Sequence, residues 1–299
     1  MERQPSGVGL IGAGKVGLVL ASGLQRSGHP LVSVWDPFEG ARERAVHTLG
    51  DVPMPSSPID VVECAALIVI AVPDDSLAAV VDDLAGAGME LGGKTVLHVS
   101  GRYGAAVLEP LRTQGASTAA MHPAMAFTGD VKTEVARLAG ARFAVTTGAE
   151  DALVTVRCLV DDLGGVVVEV PESKRILYHA ALAHGSNHLV TLVVQAAKML
   201  ELAGVSDSSA VLGPAMRAAL DNALEHGALG ATGPVIRGDT GTIREHLVAL
   251  FRTVPETLDT YREVTLASTD IAHAGGRIDT SQRNELRAVL RNAEFHRSE

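Results

Sequence analysis

From residue 7 to about residue 170 the chain alternates short, β-branched apolar runs with longer stretches in which apolar residues recur at helical spacing. The runs GVGLIG, LVSVWD, LIVIAV, TVLHVS, STAAM, FAVTT and VVVEV predict strands, and their alternation with helices predicts an α/β fold with a doubly wound parallel sheet. After Pro171 the pattern changes, and no further strand is expected. ESKRILYHAALAHGSNHLVTLVVQAAKMLELAG runs for about thirty residues to Gly204 without a proline, which predicts one helix crossing a whole domain. Further helices are expected over 206–226, 240–251, 255–274 and 281–296. The pattern predicts a sheet domain over residues 1–170 and an all-α domain over 171–299.

Composition narrows the class. The 299 residues, 46% hydrophobic and 20% charged, suffice for two cores. A formal net charge of −10 without a Lys/Arg-rich run argues against nucleic acid and anionic membranes as partners. Cys64 and Cys158 form no CxxC pair, so neither a disulfide framework nor a metal site is expected. MERQPSG carries no export signature, and no apolar run approaches the ~20 residues of a membrane span. A cytoplasmic protein acting on a small molecule fits these features.

The first strand leads into a candidate nucleotide site. VGLIGAGKVG sets Gly12, Gly14 and Gly17 in a GxGxxG at a strand's end, with Lys15 and Val16 between them and an apolar-faced helix following. Gly12 permits the tight turn, Gly14 lets backbone approach a pyrophosphate at the helix N-terminus, and Gly17 lets helix and strand pack closely. Asp36 stands 22 residues after Gly14 at the end of the second strand, where a carboxylate binds the adenosine ribose and repels a 2′-phosphate. That favours NAD, whereas Arg42 and Arg44 close behind it would suit NADP. In IAVPDDSL, a turn at a strand's carboxyl end, Val72 and Pro73 are placed to cover the nicotinamide end.

Hydride transfer to a carbonyl or imine also needs a proton donor. Ser100 in LHVSGRYG and His122 in AMHPAMAF fall on the same carboxyl edge as the glycines. At about 100° per residue, His179, Ala183, Ser186 and Val190 share one face of the long helix, with Asn187 about 80° from His179. His184, His188, Thr191 and Gln195 take the opposite face. His179 with Asn187 is the preferred pair, since His179 follows the domain break directly. One stretch, ATGPVIRGDTG, stands out among Ala/Leu-rich helices as a shaped loop. Gly233 and Pro234 direct it, Arg237 is suited to grip a carboxylate bidentately, and Asp239 either caps the next helix or orients Arg237 or His179. The alternative is a plain connector with an exposed arginine.

YHAALAHGSNHLVTL, TGPVIRGD and HPAMAF behind the GxGxxG resemble a bacterial family of Rossmann-like proteins whose helical C-terminal half is known only as an uncharacterised domain. That family is similar to β-hydroxyacid dehydrogenases, ketopantoate reductases and pyrroline-5-carboxylate reductases. The resemblance covers nearly the whole chain and implies a Rossmann-type NAD(P)-binding domain, an all-helical second domain and a homodimer joined through the helices. Relatives with a Ser-Arg-type pair after the second strand suit a 2′-phosphate; this chain has Trp35-Asp36-Pro37 there. Ketopantoate reductases use a lysine on the helical domain, and Lys174 does not stand at the matching spacing. Three functions are expected to compete. One is NAD(P)H-dependent reduction of a 2-keto acid, most concretely ketopantoate to pantoate. The others are imine reduction of the pyrroline-5-carboxylate type and a nucleotide-binding sensor without turnover. In either reductase, His179, Asn187, Arg237 and Asp239 are expected to converge on the nicotinamide end.

Overall fold

The computed structural model describes residues 7–292. The seven apolar runs form one sheet: β1 (Val8–Ile11), β2 (Leu31–Trp35), β3 (Leu67–Ile70), β4 (Thr95–His98), β5 (Ser117–Pro123), β6 (Arg142–Thr147) and β7 (Val166–Glu169), in the order β2-β1-β3-β4-β5-β6-β7. Helices α1 (Lys15–Arg26), α2 (Glu39–Leu49), α3 (Pro58–Cys64), α4 (Asp74–Gly86), α5 (Glu109–Arg112), α6 (Val131–Leu138) and α7 (Glu150–Asp162) connect them. Alternate residues of each strand face opposite layers. Val8 and Leu10 pack with Leu20, Leu24 and Val160, while Ile11, Ile68 and Ile70 pack with Val61, Leu77 and Leu84. Both faces being covered is why the inner strands, such as β1 and β3, read as continuous apolar runs, whereas the edge strand β7 is largely exposed.

The sheet is not wholly parallel. β6 runs antiparallel to β5, with Pro123 opposite Phe143, and β7 is parallel to β6. The connection explains the reversal. The chain leaves β5 at Pro123, and α6 has only 8 residues, packed against α1 beside the glycine loop. It re-enters the sheet from the edge it left, without crossing the strands' full length.

The long helix is also interrupted. α8 (Arg175–Leu182) gives way to a π turn at Ala183–Asn187 before α9 (His188–Leu202) begins. Gly185 is a poor helix former, by about 1 kcal/mol against alanine, and Ser186 and Asn187 are weak ones. A π turn widens the hydrogen-bonded loop to i→i+5, so a constant angle per residue does not carry from His179 to Asn187. The shared-face argument for that pair therefore loses its basis.

The chain divides into two compact units at Gly185/Ser186, inside the π turn, rather than at the expected 170/171. The shift has a local cause: Arg175, the first residue of α8, is 1% exposed and donates to the Ala144 carbonyl of β6 at 3.4 Å, which ties α8 to the sheet. The second unit continues with α10 (Ser208–His226), α11 (Thr240–Thr253), α12 (Leu258–Ala274) and α13 (Thr280–Asn292). Residues 293–296 of the helix expected over 281–296, and the first six residues of MERQPSG, lie outside the described residues. The second unit's core gathers Val235, Ile243, Leu247, Leu258, Leu286 and Leu290. Among the described residues no helix is long and apolar enough to cross a membrane.

Candidate active site

The glycine loop is built from three different constraints. Gly12 has φ +100°, a left-handed conformation, and a methyl group there would lie 2.6 Å from the Ala71 carbonyl oxygen. A methyl on Gly17 would lie 2.1 Å from the Gly12 carbonyl oxygen. Both positions need glycine for the fold itself. Gly14 is different: its φ is −77°, it caps α1 without any side-chain hydrogen bond, and nothing lies within 4 Å of where its Cβ would stand. The α1 N-terminus thus leaves its amides and positive dipole end open to an anion.

Asp36 is 7% exposed, and its carboxylate accepts from the Ala13 N–H at 2.8 Å and the Phe38 N–H at 2.9 Å. It locks the glycine loop to the end of β2, a role not assigned from sequence. Arg42 donates to the Asp36 carbonyl at 2.8 Å, which brings a guanidinium to the same strand end.

A cleft of about 400 Å³ opens beside this loop. Gly14, Lys15 and Val16 line one side, Val72 and Pro73 follow from the β3 turn, and Ser100 comes from the end of β4. His122 from β5 and His179 from α8 complete it, with Asp74, Gly101 and Phe127 as further walls. Gly12, Gly17 and Asp36 are not part of the lining. The two imidazoles meet over Gly101, where a methyl would come 2.8 Å from His179 Cδ2 and 3.0 Å from His122 Nε2. Their ring centroids are 6.3 Å apart. His122 Nδ1 is 2.9 Å from the Tyr178 hydroxyl. Burial, helped by the charges of Arg175 and His179, pushes the His122 pKa down to about 4, so the ring is neutral at physiological pH.

His98 organises the floor. It is fully buried, its Nε2–H donates to the Gly104 carbonyl at 2.8 Å, and its Nδ1 accepts from the Ser100 N–H at 3.1 Å. Burial lowers its pKa to about 4, which keeps that donor-acceptor pattern in place. The Ser100 hydroxyl oxygen accepts from the Arg102 and Tyr103 amides at 3.1 and 3.2 Å, so it shapes the turn that it also presents to the cleft.

The Phe127 wall depends on a buried carboxylate. Glu134 accepts from the Thr128 N–H, from the Thr128 hydroxyl at 2.9 Å and from the Gly129 N–H at 3.2 Å. Burial alone would raise its pKa, but the Thr128 and Gly129 bonds outweigh that and hold it below the ordinary glutamate value. Stability from this group is present above the unfolded pKa and lost as pH falls through the depressed folded one. Glu134→Ala is therefore expected to cost about 2–4 kcal/mol in chemical denaturation at neutral pH, the gap from wild type narrowing in acid.

The remaining sequence-predicted residues belong to the second unit. Asn187 closes the π turn and is exposed. Asp239 is the N-cap of α11, accepting from the Thr242 N–H at 3.0 Å and the Thr242 hydroxyl at 2.7 Å. The loop before it is shaped: Gly233 and Gly238 adopt φ +98° and +68°, and the Asp239 N–H donates to the Pro234 carbonyl at 3.0 Å. Arg237 is exposed. Tyr178, Arg175, His98 and Glu134 escaped the sequence reading, although Arg175 and Tyr178 stand within four residues of His179. Among the described residues no group of three metal-ligating side chains gathers.

A seven-stranded sheet with a glycine-rich β1–α1 turn, followed by a helical unit, has the architecture of a Rossmann-like domain with a helical extension. The sequence matches the model of a Rossmann-like domain over residues 2–123 and that of a domain of unknown function, DUF2520, over residues 141–268. The chain thus carries a Rossmann-like domain followed by a DUF2520 helical domain. A search among curated proteins returns no match. Among solved structures, a candidate NADP oxidoreductase from Bacteroides fragilis superposes with TM-score 0.74 at 19% identity, covering 89% of this chain and 98% of that one. An imine reductase from Myxococcus stipitatus in complex with NAD+ gives 0.63 at 17% identity, covering 95% and 99%. A reductive aminase from Aspergillus terreus in complex with an NADPH form gives 0.57 at 16% identity, covering 97% and 94%. At these identities the likeness shows the fold alone.

Proposed function

We propose that the protein is an NAD(P)H-dependent oxidoreductase that reduces a small carbonyl or imine bearing a carboxylate. The observation that carries this reading is that the open α1 N-terminus and the paired imidazoles of His122 and His179 line one cleft. The unfilled space at Gly14 suits a pyrophosphate held by the Gly14–Val16 backbone, and Val72 and Pro73 suit the nicotinamide end. A bound reduced nicotinamide supplies the hydride. The chain's own part is then to orient the acceptor and deliver a proton to the heteroatom that gains charge. His122, neutral at physiological pH, and His179 are the proton carriers of the cleft; Arg237, suited to grip a carboxylate, and Asn187 are the candidate substrate-binding groups of the second unit. Asp239, engaged as a helix cap, sets the conformation of the loop that bears Arg237.

The imine version draws support from solved relatives named as an imine reductase and a reductive aminase that match almost end to end. The ketopantoate version rests on the sequence resemblance. Helices α9 and α10 expose Val190 (63%), Val194 (62%) and Leu224 (78%), and none of their residues is buried, which supports a homodimer joined through the helical unit. Cys64 and Cys158, both free thiols, suit a cytoplasmic setting.

The experiment is to incubate the protein with NADH or NADPH and a panel of 2-keto acids and cyclic imino acids, following nicotinamide absorbance. Turnover on either class supports the reading and sorts its two versions; binding without any turnover leaves a nucleotide sensor instead. NADH is expected to bind at least as tightly as NADPH, because the Asp36 charge at the end of β2 disfavours a 2′-phosphate. A clear NADPH preference in titration calorimetry would mean that Arg42 outweighs Asp36.

A further inference from the structure

Arg175 is an anomaly in the first unit. Its guanidinium is almost wholly buried, yet among the described residues no carboxylate pairs with it. Its single hydrogen bond, to the Ala144 carbonyl, is long at 3.4 Å, and Nε and Nη2 have no hydrogen-bond partner. A buried cation without a direct ion pair or full set of hydrogen bonds is costly, and Glu172 acts on it only at a distance, so a closer anion formed in turnover would complete its surroundings. Tyr178 is within its reach: the Arg175 guanidinium carbon is 5.9 Å from the Tyr178 ring centroid, and the Tyr178 hydroxyl is 2.9 Å from His122 Nδ1. The ring of His122 therefore bridges Tyr178 and the cleft, with its Nε2 on the Gly101 side.

We infer that Tyr178 and His122 form a proton relay into the cleft and that Arg175 is the built-in counter-ion for the Tyr178 phenolate which the relay creates. The inference rests on the reductase reading. As the acceptor gains a hydride and negative charge, the His122 Nε2–H bond breaks and an O–H or N–H bond forms on the product. The Tyr178 O–H bond breaks in concert, its proton passing to Nδ1, so the imidazole stays neutral and changes only its tautomer. The phenolate left behind lies beside the Arg175 charge; after product leaves, a solvent proton enters at Nε2 from the cleft as the Nδ1 proton returns to the phenolate oxygen, which restores the first tautomer. A neutral imidazole suits this passage better than a cation would, because the Arg175 charge already lies near the ring, opposed by Asp74. The other ionisable neighbours are Glu172, which faces Arg175, and His98 beneath His122. In these terms His122 is catalytic, while Tyr178 and Arg175 act through it.

The test reads the resting protein, without substrate. Nitrogen-15 NMR is expected to show His122 carrying its proton on Nε2, with Nδ1 accepting from Tyr178. Ultraviolet difference titration of the three tyrosines, with Tyr178→Phe identifying the Tyr178 component, is expected to show that ionisation displaced upward by about one pH unit or more in Arg175→Met. Arg175→Lys, which keeps the charge, restores the wild-type midpoint and guards against a misfolded Arg175→Met. On the substrate found by the panel, Tyr178→Phe lowers kcat by about 100-fold and leaves the cofactor Kd within about twofold. A proton on His122 Nδ1, or a Tyr178 midpoint indifferent to Arg175, overturns the relay even in an enzyme that turns over. A panel without turnover overturns the reductase reading while leaving both spectroscopic results to be read independently.

Discussion

Gly14→Val is expected to abolish dinucleotide binding in a protein that remains folded. The two halves of that expectation have separate causes. Folding survives because Gly14 has an ordinary φ of −77° and nothing lies within 4 Å of its Cβ position, so a β-carbon there meets no neighbour. Binding fails because the same empty space is where a pyrophosphate must approach the amides at the start of α1. Losing two charge-assisted N–H bonds at about 1.5–3 kcal/mol each weakens binding at least about 100-fold. Titration calorimetry with NADH and NADPH, beside circular dichroism and thermal melting, measures both halves. Gly17→Val supplies the contrast, since a Cβ only 2.1 Å from the Gly12 carbonyl oxygen must displace backbone and lower stability first. Unchanged cofactor affinity in folded Gly14→Val would remove the glycine loop from the site.

Arg237→Ala is expected to reduce kcat/KM by about 30- to 1000-fold on a carboxylate-bearing substrate, with cofactor affinity little changed. The magnitude is that of losing one partner of a hydrogen-bonded charge pair, roughly 2–4 kcal/mol. The structural basis is a loop held in one conformation by Gly233, Gly238 and the Asp239 cap, in which Arg237 is exposed. A disordered connector would have no such bonds. The check is a pair of substrates differing only in the carboxylate: wild type discriminates between them and Arg237→Ala does not. Equal kcat/KM for variant and wild type on both would reduce the loop to a connector.

The inner strands β1 and β3 to β6 were legible because a sheet covered on both faces leaves apolar runs, and the edge strands β2 and β7 because they are rich in β-branched residues, although Val166 and Val168 of β7 are exposed. Strand direction was not. FAVTT reads the same either way, and the antiparallel turn of β6 is decided by the short α6 that returns the chain to the edge it left. Gly14, Val72, Pro73, Ser100 and His122 share one cleft because a βα connection puts its polar groups at the carboxyl edge of the sheet, which the alternation of runs makes legible. Angular spacing along α8 and α9 served less well, since periodicity assumes an unbroken helix and AHGSN forms a π turn. Arg175 was invisible for a different reason. An arginine on a helix is by default a solvated charge, and only the packing of α8 against β6 reveals that this one is buried. Asp36 was located correctly in sequence, yet its bond to the Ala13 amide depends on how the glycine loop folds back over β2.

The central claim is that the cleft between the glycine loop, His122 and His179 is a site of hydride transfer. Reduced cofactor deuterated at the nicotinamide C4 position, mixed with the protein and the panel of keto acids and cyclic imino acids, tests it most directly. The account predicts that mass spectrometry finds deuterium on the former carbonyl or imine carbon of one substrate class, delivered from one face of the nicotinamide, and that Gly14→Val yields none. Full occupancy by NADH or NADPH with no deuterium in any product would contradict it.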